Sequence, residues 1–240
     1  MTWFSRRPDD VKTALRTYLP RESTVDFEGR IARVFFTQGC NFRCGYCHNP
    51  ELIPLHGDNI TFEELDSIIA NAKANWVDGV CITGGEPTLQ KNIVETAAFV
   101  KARGLDIKLD TQGSFPNTLK KVIPHCDYIA MDYKAPIAKY PAIANTQLNM
   151  GNITRSLDML LRGDVPYEIR TTIIPGLHSA EDMHAICKEL KGTTRFVLQP
   201  FVPRHTILDK TLRATAKTEF FVLEEFAAIC ETYLDNVIVR

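Results

Sequence analysis

IARVFFTQGCNFRCGYCHNP, residues 31–50, is the stretch on which the reading of this chain turns. Its first half is a nearly continuous apolar run, as a strand buried on both faces requires. The run ends on Gln38-Gly39, and cysteines follow at 40, 44 and 47. The same beat of apolar strand and polar turn recurs downstream. GVCITGG (79–85), LDIKLDTQG (105–113), YIAMDYKA (128–135), YEIRTTIIPG (167–176) and RFVLQPF (195–201) read as five further strands.

Amphipathic stretches fall between them. Thr61 to Ala74 reads as a helix, because TFEE supplies a capping box with Thr61 as cap and Glu64 reaching back. Further helices are expected over 89–102, in a short piece through Lys121, near 153–162, and from a Ser179 cap through Lys191. A last long helix is expected over about 215–234, followed by VIVR as a short strand or a frayed end. Six strand–helix units at this spacing predict parallel strands joined by right-handed crossovers. An open sheet and a curved barrel wall both satisfy the pattern. A full barrel needs eight units, usually in about 250 residues.

The 240 residues carry a formal charge of -1, from 28 basic and 29 acidic side chains. That balance predicts no nucleic-acid groove, and pairs such as Arg6-Arg7 and Lys120-Lys121 are too short to make one. No run approaches the ~18 apolar residues of a membrane span. MTWFSRRPDDVK at the start lacks the apolar core and small-residue cleavage site of a secretory signal, so the expected location is the cytoplasm. Residues 1–30 read as an extension packed on the core, and 31–240 as the main domain with its C-terminal helix.

Of the seven cysteines, those at 81, 126, 187 and 230 sit in apolar surroundings and read as plain buried cysteine. The other three form C-x3-C-x2-C just past the first strand. A structural zinc site wants four ligands, usually as two C-x2-C pairs, and no second pair is present. A redox C-x-x-C of Cys44 and Cys47 leaves Cys40 unused. Three thiolates on an iron–sulfur cube leave one iron open, whereas a purely electron-carrying cube normally has four cysteines. The count therefore argues for chemistry at an open iron.

At this point a resemblance is carried by the motifs. C-x3-C-x2-C with Tyr46 before its last cysteine resembles the signature of radical S-adenosylmethionine enzymes, and TGGEP at 83–87 resembles their second hallmark. The resemblance implies a partial (β/α)6 TIM-like barrel of the α/β class. It implies a [4Fe-4S] cluster on Cys40, Cys44 and Cys47, and S-adenosyl-L-methionine on its open iron. Electron transfer from the reduced cluster would yield methionine and a 5′-deoxyadenosyl radical that abstracts hydrogen. No protein side chain is assigned as catalytic, since cluster and cofactor carry the chemistry.

Further roles follow from the same resemblance. Tyr46 would lie against the adenine, while Gly84, Gly85 and Glu86 would receive the methionyl ammonium. The DTQG and D-x-K segments resemble parts of pyruvate formate-lyase activase that bind a monovalent cation. Asp110, Thr111 and Asp132 are the matching cation ligands here, and Lys134 would pair with the cofactor carboxylate. Gln112 stands where that activase has Asn. Arg170 and Gln199 are candidate cofactor contacts, and His48 a candidate support behind the cluster loop.

FTQGCNFRCGYCHNPELI, TGGEPTLQ, DTQGS, YIAMDYKAP, YEIRTT and LQPF together resemble the anaerobic ribonucleoside-triphosphate reductase activating proteins, from residue 31 to about 201. That subgroup implies a glycyl-radical enzyme as partner and flavodoxin or ferredoxin as electron donor. The alternatives are a pyruvate formate-lyase-type activase, a 7-carboxy-7-deazaguanine synthase, and a non-catalytic iron–sulfur electron carrier.

Overall fold

The computed structural model describes residues 12–13, 15–16, 22–55 and 60–240. Much of the 1–30 extension expected to pack on the core, and with it the Arg6-Arg7 pair, lies outside the described residues. Seven main strands follow in order: β1 (Ala32–Thr37), β2 (Gly79–Gly84), β3 (Asp106–Thr111), β4 (Tyr128–Asp132), β5 (Tyr167–Ile173), β6 (Phe196–Pro200) and β7 (Val237–Val239). Their order in the sheet is their order in the chain. β1–β2, β2–β3, β5–β6 and β6–β7 are parallel. Short antiparallel pieces at 15–16 and 22–23 pair with β1 and make the sheet mixed. This is the expected α/β fold, a partial (β/α) barrel core with helices around a central sheet.

The chain divides into two compact units. One comprises the chain up to Cys40, Leu52–Thr111 and Phe115–Ile129; the other comprises Asn41–Glu51, Gln112–Ser114 and Ala130–Arg240. The first contains helices α1 (Phe62–Ala74), α2 (Ile93–Lys101) and α3 (Pro116–Val122). The Thr61 capping box forms, with Thr61 Oγ1 accepting from Glu64 N and Thr61 N donating to Glu64 Oε2. It starts α1 so that Phe62, Leu65, Ile69 and Ala72 are buried. In β1 and β2 the apolar run is buried throughout, from Ala32 to Phe35 and from Gly79 to Ile82.

The second unit contains α4 (Tyr140–Ala144), α5 (Met150–Leu161), α6 (Ala180–Glu189), α7 (Lys210–Arg213) and α8 (Phe220–Glu231). Ser179 caps α6 in a capping box with Asp182. The helix expected over about 215–234 is present as α8 but starts later and ends earlier, at Phe220 and Glu231. The cause of the late start is Thr218. Its hydroxyl donates to Ile173 O at 2.5 Å and accepts from Phe201 N at 3.0 Å, and its own N–H donates to Phe201 O. A residue so tied to the ends of β5 and β6 cannot also make helical bonds. VIVR becomes the strand β7. Among the described residues no helix is long and apolar enough to cross a membrane.

Candidate active site

The cysteine loop leaves β1 with its backbone held at several points. Gly39 N and Cys40 N donate to Leu52 O and Ile53 O at 2.8 and 3.0 Å. Farther along, Arg43 N donates to Ala144 O, Cys47 N to Cys44 O, and Asp209 N to Gly45 O. No cysteine of the loop is in a disulfide. Burial pushes the Cys44 and Cys47 thiols up from the ordinary thiol range. His48 sits beside Phe201, with ring centroids 6.2 Å apart and near-parallel planes. Its Nε2 lies 2.7 Å from Val202 O, and since a carbonyl only accepts, Nε2–H donates. His48 thereby ties the loop to the exit of β6.

In the first unit, the Gly84-Gly85 turn lies against the backbone that leaves β1. A Cβ on Gly84 would meet Thr37 N at 2.4 Å, and one on Gly85 would meet Gly39 O at 2.3 Å. Gly84 also has φ +116°. These glycines are required by strand-to-strand contact, whatever else they touch. Glu86 is fully buried. Its Oε1 accepts from Thr88 N, Thr88 Oγ1 and, at 2.7 Å, from Thr111 Oγ1. That oxygen is committed to joining the turn after β2 to the end of β3.

Lys108 and Asp110 are two apart on β3, so they share a face. Lys108 Nζ is 2.7 Å from Asp110 Oδ1, and the two side chains are only 7% and 15% exposed. Thr111, the next residue, points to the opposite face, toward Glu86.

In the second unit, Asp132 closes β4. Its Oδ1 accepts from Arg170 Nε at 2.9 Å and lies 2.8 Å from Arg170 Nη2. Lys134 Nζ is 3.5 Å from Asp132 Oδ2 and 5.8 Å from the centroid of the Tyr46 ring. Burial works against the charge on Asp132, but Arg170 and Lys134 hold its carboxyl below the usual range. Burial likewise works against the Lys134 ammonium, yet its pKa stands well above the usual lysine value, with the Asp132 carboxylate beside it favouring the charged form. Tyr46 itself is buried, which pushes its phenol up and keeps it neutral.

Arg170 lies in the middle of β5 rather than at its end, and connects Asp132 to a deeper charge. Glu168 is fully buried and takes both oxygens to Arg240, at 2.9 and 2.8 Å, with Arg195 Nε at 3.5 Å and Arg170 Nη1 at 4.0 Å. Gln199 pairs with Thr172 in the β5–β6 register and is half-buried. Gln112 is buried and donates to Asn41 Oδ1 and Ser114 Oγ, both at 2.8 Å, so it braces the cysteine loop from the turn after β3. Among the described residues no three His, Cys, Asp or Glu side chains converge on a single ion.

Three groups here escaped the sequence. His178 Nδ1 accepts from Ile174 N at 3.0 Å, which leaves Nε2–H to donate to Lys134 O at 2.9 Å. Burial lowers its pKa. Glu168 had no signal, since Arg240 is 72 residues away. Lys108 did have one, the two-residue spacing to Asp110 on a predicted strand.

The fold and these strand-end clusters define an α/β enzyme built around a sulfur-rich loop. The Radical SAM superfamily model matches residues 34–190, and the chain belongs to that superfamily, a class of oxidoreductases. It is 31% identical over 225 residues to a Methanocaldococcus jannaschii protein named provisionally as a glycyl-radical enzyme activating enzyme, covering 91% of this chain and 92% of that one. It is 30% identical to the pyruvate formate-lyase-activating enzyme of Streptococcus mutans, over 74% of this chain and 73% of that one. Among solved structures, Streptococcus suis SuiB shares the fold with a TM-score of 0.65 at 14% identity, covering 85% of this chain and 47% of that one. The chain is thus a radical S-adenosylmethionine enzyme related to the glycyl-radical and pyruvate formate-lyase activating enzymes.

Proposed function

We propose that this enzyme is a glycyl-radical activase whose partner is an anaerobic ribonucleoside-triphosphate reductase. The observation that carries the activase reading is the match over nearly the whole length of both chains to a relative named for that activity. The choice of reductase rests on the run of motifs from residue 31 to about 201. Similarity to the Streptococcus mutans enzyme supports a pyruvate formate-lyase partner as the second reading.

The donor set fits the group the family implies: three thiols within eight residues, none in a disulfide, on a loop with fixed backbone. Cys40, Cys44 and Cys47 would hold the [4Fe-4S] cluster. When bound, cluster and S-adenosylmethionine supply the radical chemistry, reductive cleavage to methionine and a 5′-deoxyadenosyl radical that takes hydrogen from a backbone glycine. Flavodoxin or ferredoxin would deliver the electron.

The chain's own residues bind and orient. Tyr46 offers its ring face to the adenine. Lys134 offers an ammonium to the cofactor carboxylate, steered by Asp132, with its backbone held by His178. Arg170 keeps Asp132 in place. The Gly84–Glu86 turn offers backbone carbonyls to the methionyl ammonium; the Glu86 carboxylate serves mainly to shape that turn, because Oε1 is already taken. Gln199 contributes at the ribose, and His48 braces the cluster loop.

Anaerobic incubation of the reconstituted enzyme with S-adenosylmethionine, reductant and each candidate partner tests this. The expected outcome is a glycyl radical doublet on the ribonucleotide reductase. A doublet only on pyruvate formate-lyase selects the second reading. Cofactor cleavage with no radical on either protein would overturn both.

A further inference from the structure

Behind the Lys134 ammonium, each backbone polar group from Asp132 O to Lys134 O has a partner. In a strand, successive residues turn their N–H and C=O to opposite edges. Tyr133 faces β5: its N–H donates to Arg170 O at 2.8 Å, and its carbonyl accepts from Thr171 Oγ1 at 2.6 Å. Asp132 O and Lys134 N face the other edge, where one side chain serves both. Tyr140 Oη donates to Asp132 O at 3.2 Å, and the Lys134 N–H is directed at the same oxygen. A hydroxyl has one donor and two acceptor lone pairs, so it can stand where a residue of a further parallel strand would give its N–H and C=O. His178 takes the last group, Lys134 O.

Tyr140 is the first residue of α4 and is wholly buried, which keeps its phenol protonated and able to donate. Its ring meets two others edge-on, Tyr133 at 5.4 Å and Phe42 at 6.4 Å between centroids. Phe42 lies between Cys40 and Cys44, and the next residue, Arg43, donates its N–H to Ala144 O at the last residue of α4. One short helix thus touches the cysteine loop at both its ends and the Lys134 backbone at one. We propose that Tyr140 is a positioning residue for S-adenosylmethionine: its hydroxyl fixes the root of Lys134 in register with the Phe42 segment, and so sets how well the ammonium meets the cofactor carboxylate. A lysine stem has many rotamers, and an anchored root reduces what binding must still order. The inference rests on the proposed cofactor role of Lys134.

The test compares the anaerobically reconstituted enzyme with Tyr140→Phe, Lys134→Met and the double variant. S-adenosylmethionine affinity is read by equilibrium dialysis, and cluster content by iron and sulfide analysis. Tyr140→Phe keeps the ring and is expected to retain the cluster while binding about tenfold more weakly. Lys134→Met is expected to bind about thirtyfold more weakly, and the double variant no weaker than Lys134→Met by more than about twofold, because the hydroxyl acts through the lysine. Undiminished affinity in Tyr140→Phe, loss of its cluster, or penalties that multiply in the double variant would overturn the proposal. Amide hydrogen exchange without cofactor gives a second readout. The Lys134 amide is expected to be protected, and to exchange at least about tenfold faster in Tyr140→Phe while the Tyr133 amide is unchanged. If Tyr140→Phe does not fold, the unmodified enzyme decides: a protected Lys134 amide supports the grip and an unprotected one overturns it. If Lys134→Met binds S-adenosylmethionine as tightly as the unmodified enzyme, the cofactor role of Lys134 falls, and the exchange rates still decide whether Tyr140 holds its backbone.

Discussion

Asp110 and Asp132 look alike in sequence, each near the end of a strand with a lysine two residues away. Their surroundings differ. Asp110 and Lys108 pair on one strand, both side chains largely out of solvent. Asp132 is 38% exposed and shares its charge between Lys134 and Arg170, with the buried Glu168 behind Arg170. A pair largely out of solvent mainly fixes the strand end. A half-open carboxylate among several cations orients groups that still have a side toward solvent. The same two residue types thus do different work because one pair is largely out of solvent and the other, partly exposed, belongs to a chain of charges.

The comparison gives its largest expected effect at Asp110. Asp110→Asn removes the carboxylate that faces the buried Lys108 ammonium, which should cost about 3 kcal/mol of stability in denaturant titration. A neutral result would mean that the Lys108 charge is carried by groups other than Asp110. Asp132→Asn should behave the opposite way. Its pair is partly solvated, so stability should fall by only about 1 kcal/mol. Cofactor cleavage should fall roughly 100-fold, since Lys134 and Arg170 lose the group that orients them. Equal effects of both variants on cleavage would erase the distinction drawn here.

The smallest effect concerns His178, which supports the Asp132 side through Lys134 O. Its folded pKa lies below the ordinary histidine value of 6.5 because of burial. Below pH 6.5 the unfolded chain takes up a proton that the folded chain refuses. The stability from this group is therefore fully present above that pH and is lost as pH falls toward the folded value. His178→Gln should flatten the stability–pH profile in that window, measured by denaturation at successive pH values. An unchanged slope would assign it to other groups.

Much of the architecture was legible because its signals are local. The strand runs, the Thr61 and Ser179 capping boxes and the C-x3-C-x2-C loop all lie within a few residues of chain. The late start of the helix expected over about 215–234 was not legible, for the opposite reason. Thr218 is held by Ile173 and Phe201, on segments remote in sequence, and the helix starts only after it. Glu86 shows the same limit within the site: its neighbours in TGGEP are visible, but the Thr111 hydroxyl that occupies its oxygen comes from β3.

By itself, then, the sequence determined the order of strands, the three cysteines in one loop and the class of chemistry they serve, since spacing and residue type suffice for these. Which charges meet was decided only by the tertiary structure. Asp132 reaches Arg170 across 38 residues and Glu168 reaches Arg240 across 72. Ion pairs form by distance in space, and a parallel sheet brings together residues that the chain keeps a strand and a helix apart.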